Sequence, residues 1–290
     1  MINRLPAWFK QALPNQVFFK RMRLISDFKL NIVCKSARCP NITDCFRNEQ
    51  VTFMILGDSC TRNCRFCAVS KSGDGNLAVD DDEPSRIARL VKELGLKFVV
   101  VTSVSRDDLL DGGAKQFARV VESIRQADEN IKVEVLIPDF LGNITSLETI
   151  INSRPPVIGH NIETVERLYK DLRPAALYQL SLAVLAKIKE LAPRMITKSS
   201  LMLGLGETEE EVITTMKDLR FAGCDILTLG QYLAPSDKHY PVKEFIEIAK
   251  FKKYQGLAIA LGFKAALSGP KVRSSYQADK LYREASLCMI

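Results

Sequence analysis

"VTFMILGDSCTRNCRFC" (Val51–Cys67) sets a short, largely apolar run directly before a loop that carries Cys60, Cys64 and Cys67. An apolar run of this length, closed by Gly57 and Asp58, reads as a buried strand over 51–56. The pattern then repeats. A helix with apolar spacing near 3.6 covers 84–95 and stops at Gly95, and a β-branched strand covers 97–104. Further strands read at 132–140, 155–164, 194–204 and 225–233. Helices fall between and around them at 113–127, 144–152, 164–170, 178–191, 208–223 and 242–261. Six strand–helix units in series imply a parallel sheet, because each crossover helix returns the chain to the same end. Near-continuous apolar strands imply cover on both faces. Periodicity alone fits a complete or partial (β/α) barrel and a doubly wound sheet equally. Polar residues cluster just past the strands, in LIPDF, GHNIET, LMLGLGE and LGQYL, and in a parallel barrel such loops converge on one mouth. Three regions follow: an N-terminal extension over 1–50, a barrel over 51–263, and a polar C-terminal extension over 264–290.

The 290 residues are enough for one substantial core, with 47% hydrophobic and 26% charged residues. No run is apolar enough to span a bilayer, and MINRLPAWFKQALPNQ has no continuous apolar segment of an export signal. The expectation is a cytoplasmic protein of bacterial type, with an organelle matrix or stroma as the other compartment. A formal net charge of +7 reads as a basic surface suited to an acidic protein partner. Lys and Arg are scattered apart from FFKRMR (18–23), and no nucleic-acid motif accompanies them, so neither nucleic acid nor membrane is expected as a partner.

Six of eight cysteines fall within residues 34–67, as Cys34-x4-Cys39-x5-Cys45 and Cys60-x3-Cys64-x2-Cys67. Such bunching in a chain without an export signal favours metal or redox chemistry over disulfides. Structural zinc usually takes four closed ligands in paired knuckles, and both histidines, His160 and His239, lie far off in sequence. Three closely spaced thiolates suit three corners of a 4Fe–4S cube and leave one iron open. Cys224, in FAGCDIL, reads as a small buried hydrophobe, and Cys288 carries no assignment.

"CTRNCRFC" after the first strand of a βα repeat resembles the signature of radical S-adenosylmethionine enzymes, and "CKSARCPNITDC" resembles the first trio of lipoyl synthases. The likeness extends through MILGDSCTRNCRFCAV, VVVTSVSRDDLLDGGA, VEVLIPDF, HNIETV, LMLGLGETEEEV, DILTLGQYL and SGPKVRSSY. It implies a partial parallel (β/α)6 barrel with two 4Fe–4S clusters and S-adenosylmethionine as cosubstrate. Cys60, Cys64 and Cys67 would hold the radical-generating cluster, whose open iron takes the cosubstrate's amino and carboxylate groups. Cys34, Cys39 and Cys45 would hold an auxiliary cluster that donates sulfur, with Ser275 of RSSY as its fourth ligand. The substrate implied is an octanoyl group on a lysine of a lipoyl carrier domain, sulfurated at C6 and C8. The carriers are acyltransferase subunits of 2-oxoacid dehydrogenases and the glycine cleavage H protein. A ferredoxin or flavodoxin would supply electrons, and an iron–sulfur carrier would rebuild the auxiliary cluster.

Other residues have two readings each. Asn161 and Glu163 suit the ribose of the cosubstrate, or merely start a helix. Arg173 and Lys198 suit its carboxylate, or pair at the surface. Thr102 and Ser103 suit its methionyl group, or cap backbone. Gly204 and Gly206 would let the chain pass close to adenine, a weak signal from one G-x-G. His160 reads equally as a satisfied core histidine or as a participant in the site, Phe66 as a shield for the cluster, and Ser274 with Ser275 as a turn in an exposed tail. Ser200 and Gln277 stand where the family pattern leads one to expect glycine and histidine. The competing functions are another radical sulfur-inserting enzyme of the biotin synthase kind, which lacks the first trio, and a two-cluster electron carrier. Six βα units exceed what a carrier needs.

Overall fold

The computed structural model describes residues 6, 9, 13–71 and 78–288. Most of the opening stretch read for an export signal lies outside them. Eight strands make one sheet whose spatial order follows chain order: β1 (Asn31–Ile32), β2 (Thr52–Ile55), β3 (Phe98–Ser103), β4 (Lys132–Leu136), β5 (Val157–Gly159), β6 (Ile196–Leu203), β7 (Ile226–Gln231) and β8 (Ala265–Gly269). From β2 to β8 every pairing is parallel, and β1 joins β2 antiparallel through Asn31↔Met54 and Ile32↔Phe53. Helices α1 (Gln16–Asp27), α2 (Glu83–Glu93), α3 (Ala114–Ala127), α4 (Ile144–Asn152), α5 (Tyr178–Leu191), α6 (Glu209–Phe221), α7 (Ile248–Ala260) and α8 (Ala278–Leu287) accompany it. The result is a partial (β/α)6 barrel lengthened by a seventh parallel strand.

Local chemistry accounts for the elements. In α2, Pro84 occupies the first turn, where its missing N–H costs nothing, and Ile87, Leu90 and Val91 line one buried face. Thr208 and Glu211 form a reciprocal capping box that starts α6. Val99, Val100 and Val101 of β3 are all buried, as a strand covered on both faces requires.

The six strands read from sequence are present. Two expectations need correction. Helix α7 begins at Ile248 rather than near 242. Residues 242–246 stay outside the helix, where Gln231 receives the Ile246 N–H at 2.8 Å and donates to the Glu244 carbonyl at 3.0 Å. The stretch after residue 264 is more than a polar tail. Its first residues are β8, paired to β7, and α8 packs Leu281 and Ala285 onto Val157, Ile196, Ile226 and Ala265 at the strand starts. α8 thus floors the barrel, leaving the opposite end for chemistry.

Candidate active site at the barrel mouth

A cavity of about 620 Å³ opens at the C-terminal ends of the strands. That volume lies within the usual range for a small-molecule site. Cys60, Cys64 and Cys67, from the loop after β2, line one part, and Cys34, Cys39 and Cys45 line another. Two short helices, Val33–Ser36 and Ile42–Arg47, carry Cys34 and Cys45. Among the described residues no three His, Cys, Asp or Glu side chains converge closely enough to hold a single metal ion. A four-iron cube takes its thiolates at separate corners, so it does not require that convergence.

Burial first, then Cys39 and Cys45, push the Cys34 thiol up to about 12. Burial, Cys39 and Asp44 do the same for Cys45, against a downward pull from Arg273. Cys64 and Cys67 are also raised, chiefly by burial. Without a cation these thiols stay protonated, so loading a cluster releases protons.

Ser275 belongs to the wall beside the first trio. It is half-buried and its Oγ accepts from Thr52 Oγ1 at 2.8 Å, while the Thr52 main chain hydrogen-bonds the Cys34 thiol. Ser274 instead donates to Asn161 Oδ1 at 2.9 Å, and Asn161 Nδ2 donates to Glu163 Oε1 at 2.9 Å. Neither serine is an exposed tail turn. Asn41 bonds the Lys271 carbonyl and Asp44 pairs with Lys271 at 3.1 Å, so the N-terminal and C-terminal segments are tied together across the sheet's open side. Gly230 permits this closeness, since a Cβ there would overlap the Val272 carbonyl oxygen.

Glu163 hooks onto β6 with a left-handed backbone (φ 66°), its N–H donating to the Ser200 carbonyl and its carbonyl receiving the Met202 N–H, both at 2.9 Å. Burial raises its carboxyl, opposed by Arg173. Arg173 is buried, not a surface charge, and gives Nη1 to Tyr169 Oη at 2.8 Å. Thr102 spends its hydroxyl on the Leu136 carbonyl (2.9 Å), whereas Ser103 Oγ has no partner among the described residues. His160 is half satisfied: Nδ1 meets the Ile137 carbonyl at 2.9 Å and Nε2 meets nothing described. Phe66 and Ser200 also line the cavity.

Three expected cosubstrate contacts lie elsewhere. Lys198 is 1% exposed and binds Glu134 Oε1 and Oε2 at 2.7 and 3.0 Å inside the barrel. Gly204 (φ 93°) and Gly206 lie outside the cavity wall, and a Cβ on Gly204 would strike Gln231 and the Glu244 carbonyl. Their conformations serve the packing of residues 242–246. Cys224 is fully buried as read, and Gln277 caps α8 with its N–H 3.4 Å from Gln50 Oε1.

One constellation escaped sequence reading. Arg62, between Cys60 and Cys64, is 4% exposed. It makes paired bonds to Asp107 (2.7 and 2.8 Å) and to Asp139 (2.6 and 2.6 Å). These bonds lock the cysteine loop to the ends of β3 and β4. The signal lay in SRDD and IPDF, whose acids follow strands just as the cysteines do. Arg273 was missed as well; it sits in the wall, where its charge acts on Cys39 and Cys45.

The site's donors fit the groups that the sequence implied: two sets of thiols, a serine hydroxyl held beside one set, and orphaned polar atoms beside the other. Residues 54–219 match the model of the Radical SAM superfamily. A crystal structure of methylornithine synthase shares the fold, with a TM-score of 0.55 over 96% of this chain and 90% of that one at 13% identity. The chain is therefore a radical S-adenosylmethionine enzyme, with that cosubstrate and 4Fe–4S chemistry as its equipment. The lipoyl synthase of Caldanaerobacter subterraneus subsp. tengcongensis is 50% identical over 96% of this chain and 97% of its own length. That of Desulfotalea psychrophila is 49% identical over 97% and 94%. Within the superfamily, this chain belongs to the lipoyl synthase family.

Proposed function

We propose that the protein inserts two sulfur atoms, at C6 and C8, into an octanoyl group carried on a lysine of a lipoyl carrier domain. Cys60, Cys64 and Cys67 hold the radical-generating cluster, and Cys34, Cys39, Cys45 and Ser275 hold the auxiliary cluster that supplies sulfur. The observation that carries this reading is the opening of both trios and Ser275 onto one cavity. When bound, the first cluster supplies the electron that cleaves S-adenosylmethionine and so makes an alkyl radical able to take hydrogen from an unactivated C–H bond. The chain's own residues orient and enclose. Arg62 fixes the cysteine loop through Asp107 and Asp139. Glu163, Asn161, Arg173 and Ser103 offer complementary polar groups to the cosubstrate. Val33, Ala37, Val242 and Phe245 make apolar wall suited to an acyl chain and to excluding water. Thr52 holds the Ser275 hydroxyl beside the first trio. A serine oxygen is a harder donor than a thiolate and leaves iron more readily, which suits a cluster that is dismantled in use.

The carriers in this reading are 2-oxoacid dehydrogenase acyltransferase subunits and the glycine cleavage H protein. Ferredoxin or flavodoxin is the reductant, an iron–sulfur carrier restores the auxiliary cluster, and the compartment is the cytoplasm. Among the described residues no helix is long and apolar enough to cross a membrane. The test is an anaerobic assay of the reconstituted enzyme with an octanoylated H protein, S-adenosylmethionine and a reductant, read by mass spectrometry of the modified lysine. Lipoyl product supports the reading. Cosubstrate cleavage with an unaltered octanoyl group would refute it, and no cleavage at all would point to the electron carrier.

A further inference from the structure

Three buried polar atoms on the cavity wall have no partner among the described residues: Ser103 Oγ, His160 Nε2 and Arg173 Nε. Arg173 Nε always carries hydrogen and can only donate, while a serine hydroxyl can donate or accept. His160 is different, because its other ring nitrogen settles its chemistry. Nδ1 lies 2.9 Å from the Ile137 carbonyl oxygen, and a carbonyl only accepts, so the ring proton is on Nδ1. A second proton would make the ring a cation in a place that resists one. The residue is 2% exposed, and Arg173 and Arg62 add positive potential. Asp139 opposes them, yet both its carboxylate oxygens already take hydrogen bonds from Arg62. Burial first and these cations next hold the imidazole down to about 4, so it is neutral at physiological pH.

We infer that His160 Nε2 is an obligate hydrogen-bond acceptor in the cavity wall and takes an O–H or N–H donor of S-adenosylmethionine. The inference rests on the cosubstrate occupying this cavity, as proposed above. It gives His160 a binding role that neither a core histidine nor a general acid would have. A neutral acceptor also suits a sulfonium ligand, because it adds no positive charge beside one. The donors available on the cosubstrate are its ribose hydroxyls, its ammonium and its adenine amine.

The chain has only two histidines, so 15N-histidine labelling gives a two-imidazole spectrum of the oxidised, reconstituted enzyme. His239, whose Nδ1 sits 2.8 Å from Ser236 Oγ, is the internal reference, and His160→Gln assigns the pair. The expected spectrum shows His160 protonated on Nδ1 and bare on Nε2, with the Nε2 resonance moving on addition of S-adenosylmethionine and His239 unmoved. Equilibrium dialysis supplies the affinity. His160→Leu should bind the cosubstrate roughly tenfold more weakly, the worth of one buried hydrogen bond. His160→Gln, which offers an amide oxygen near the Nε2 position, should stay within about threefold. Repeating the comparison with 2′-deoxy, 3′-deoxy and deaminated analogues identifies the donor, since the analogue lacking it binds parent and His160→Leu alike. A proton on Nε2, or a His160→Leu variant that binds as tightly as the parent, overturns the inference. A parent that binds no S-adenosylmethionine brings down the underlying function first and this inference with it, which distinguishes the two failures.

Discussion

Single side chains at the mouth do unequal work. Cys60→Ala should abolish formation of 5′-deoxyadenosine and leave the auxiliary cluster in place, read by product chromatography and by iron content. Retained cleavage would contradict its assignment. Arg62→Met should destabilise the cluster-free protein by about 3–5 kcal/mol, because it strands the buried Asp139 carboxylate without its cation. Denaturant unfolding checks this, and a loss below about 1 kcal/mol would mean that the pair is solvated. The cysteines were legible because thiol spacing is rare and specific. Arg62 was not, because its partners lie 45 and 77 residues away and a lone arginine in a loop looks like a solvated charge. Lys198 misled for the converse reason. A lysine in a barrel strand suggests a ligand for an anion, and only the fold reveals that Glu134 faces it inside the barrel.

At the level of elements, period and punctuation read well where helix and strand each bury one continuous face. The start of α7 did not, because the amide of Gln231 bonds the backbone at Glu244 and Ile246 ahead of the helix, and a side chain bonding to distant backbone leaves no local pattern. β8 was also missed. AALSG is short and only Leu267 in it is a large apolar residue, and pairing with β7 supplies what its own composition lacks. The contact of β7 with the segment after β8 gives a test. Gly230→Ala places a methyl against the Val272 carbonyl, so the RSSY segment must move outward. The variant should keep the radical cluster and lose iron from the auxiliary one, as measured by iron and sulfide per chain. An unchanged auxiliary cluster would mean that Ser275 does not depend on this packing.

Across the whole molecule, the barrel is floored by α8 and carries its chemistry at the other end, with the first and last segments tied over the open side. Stability should couple to pH through the mouth. His160 has a folded pKa of about 4 against 6.5 when unfolded, so the unfolded chain binds the extra proton first. Its contribution is complete above about pH 6.5 and is lost as pH falls toward 4, amounting to about 3 kcal/mol. Denaturation of the cluster-free protein between those limits should show this slope, and His160→Gln should flatten it. Equal slopes in both would place the imidazole in contact with water. The division of labour between the two trios is tested most directly by iron and acid-labile sulfide per chain after anaerobic reconstitution, in the parent and in a Cys34/Cys39/Cys45 triple alanine variant. Two independent clusters require roughly eight irons falling to roughly four. Equal iron in both proteins, or zinc without sulfide in the parent, would contradict it.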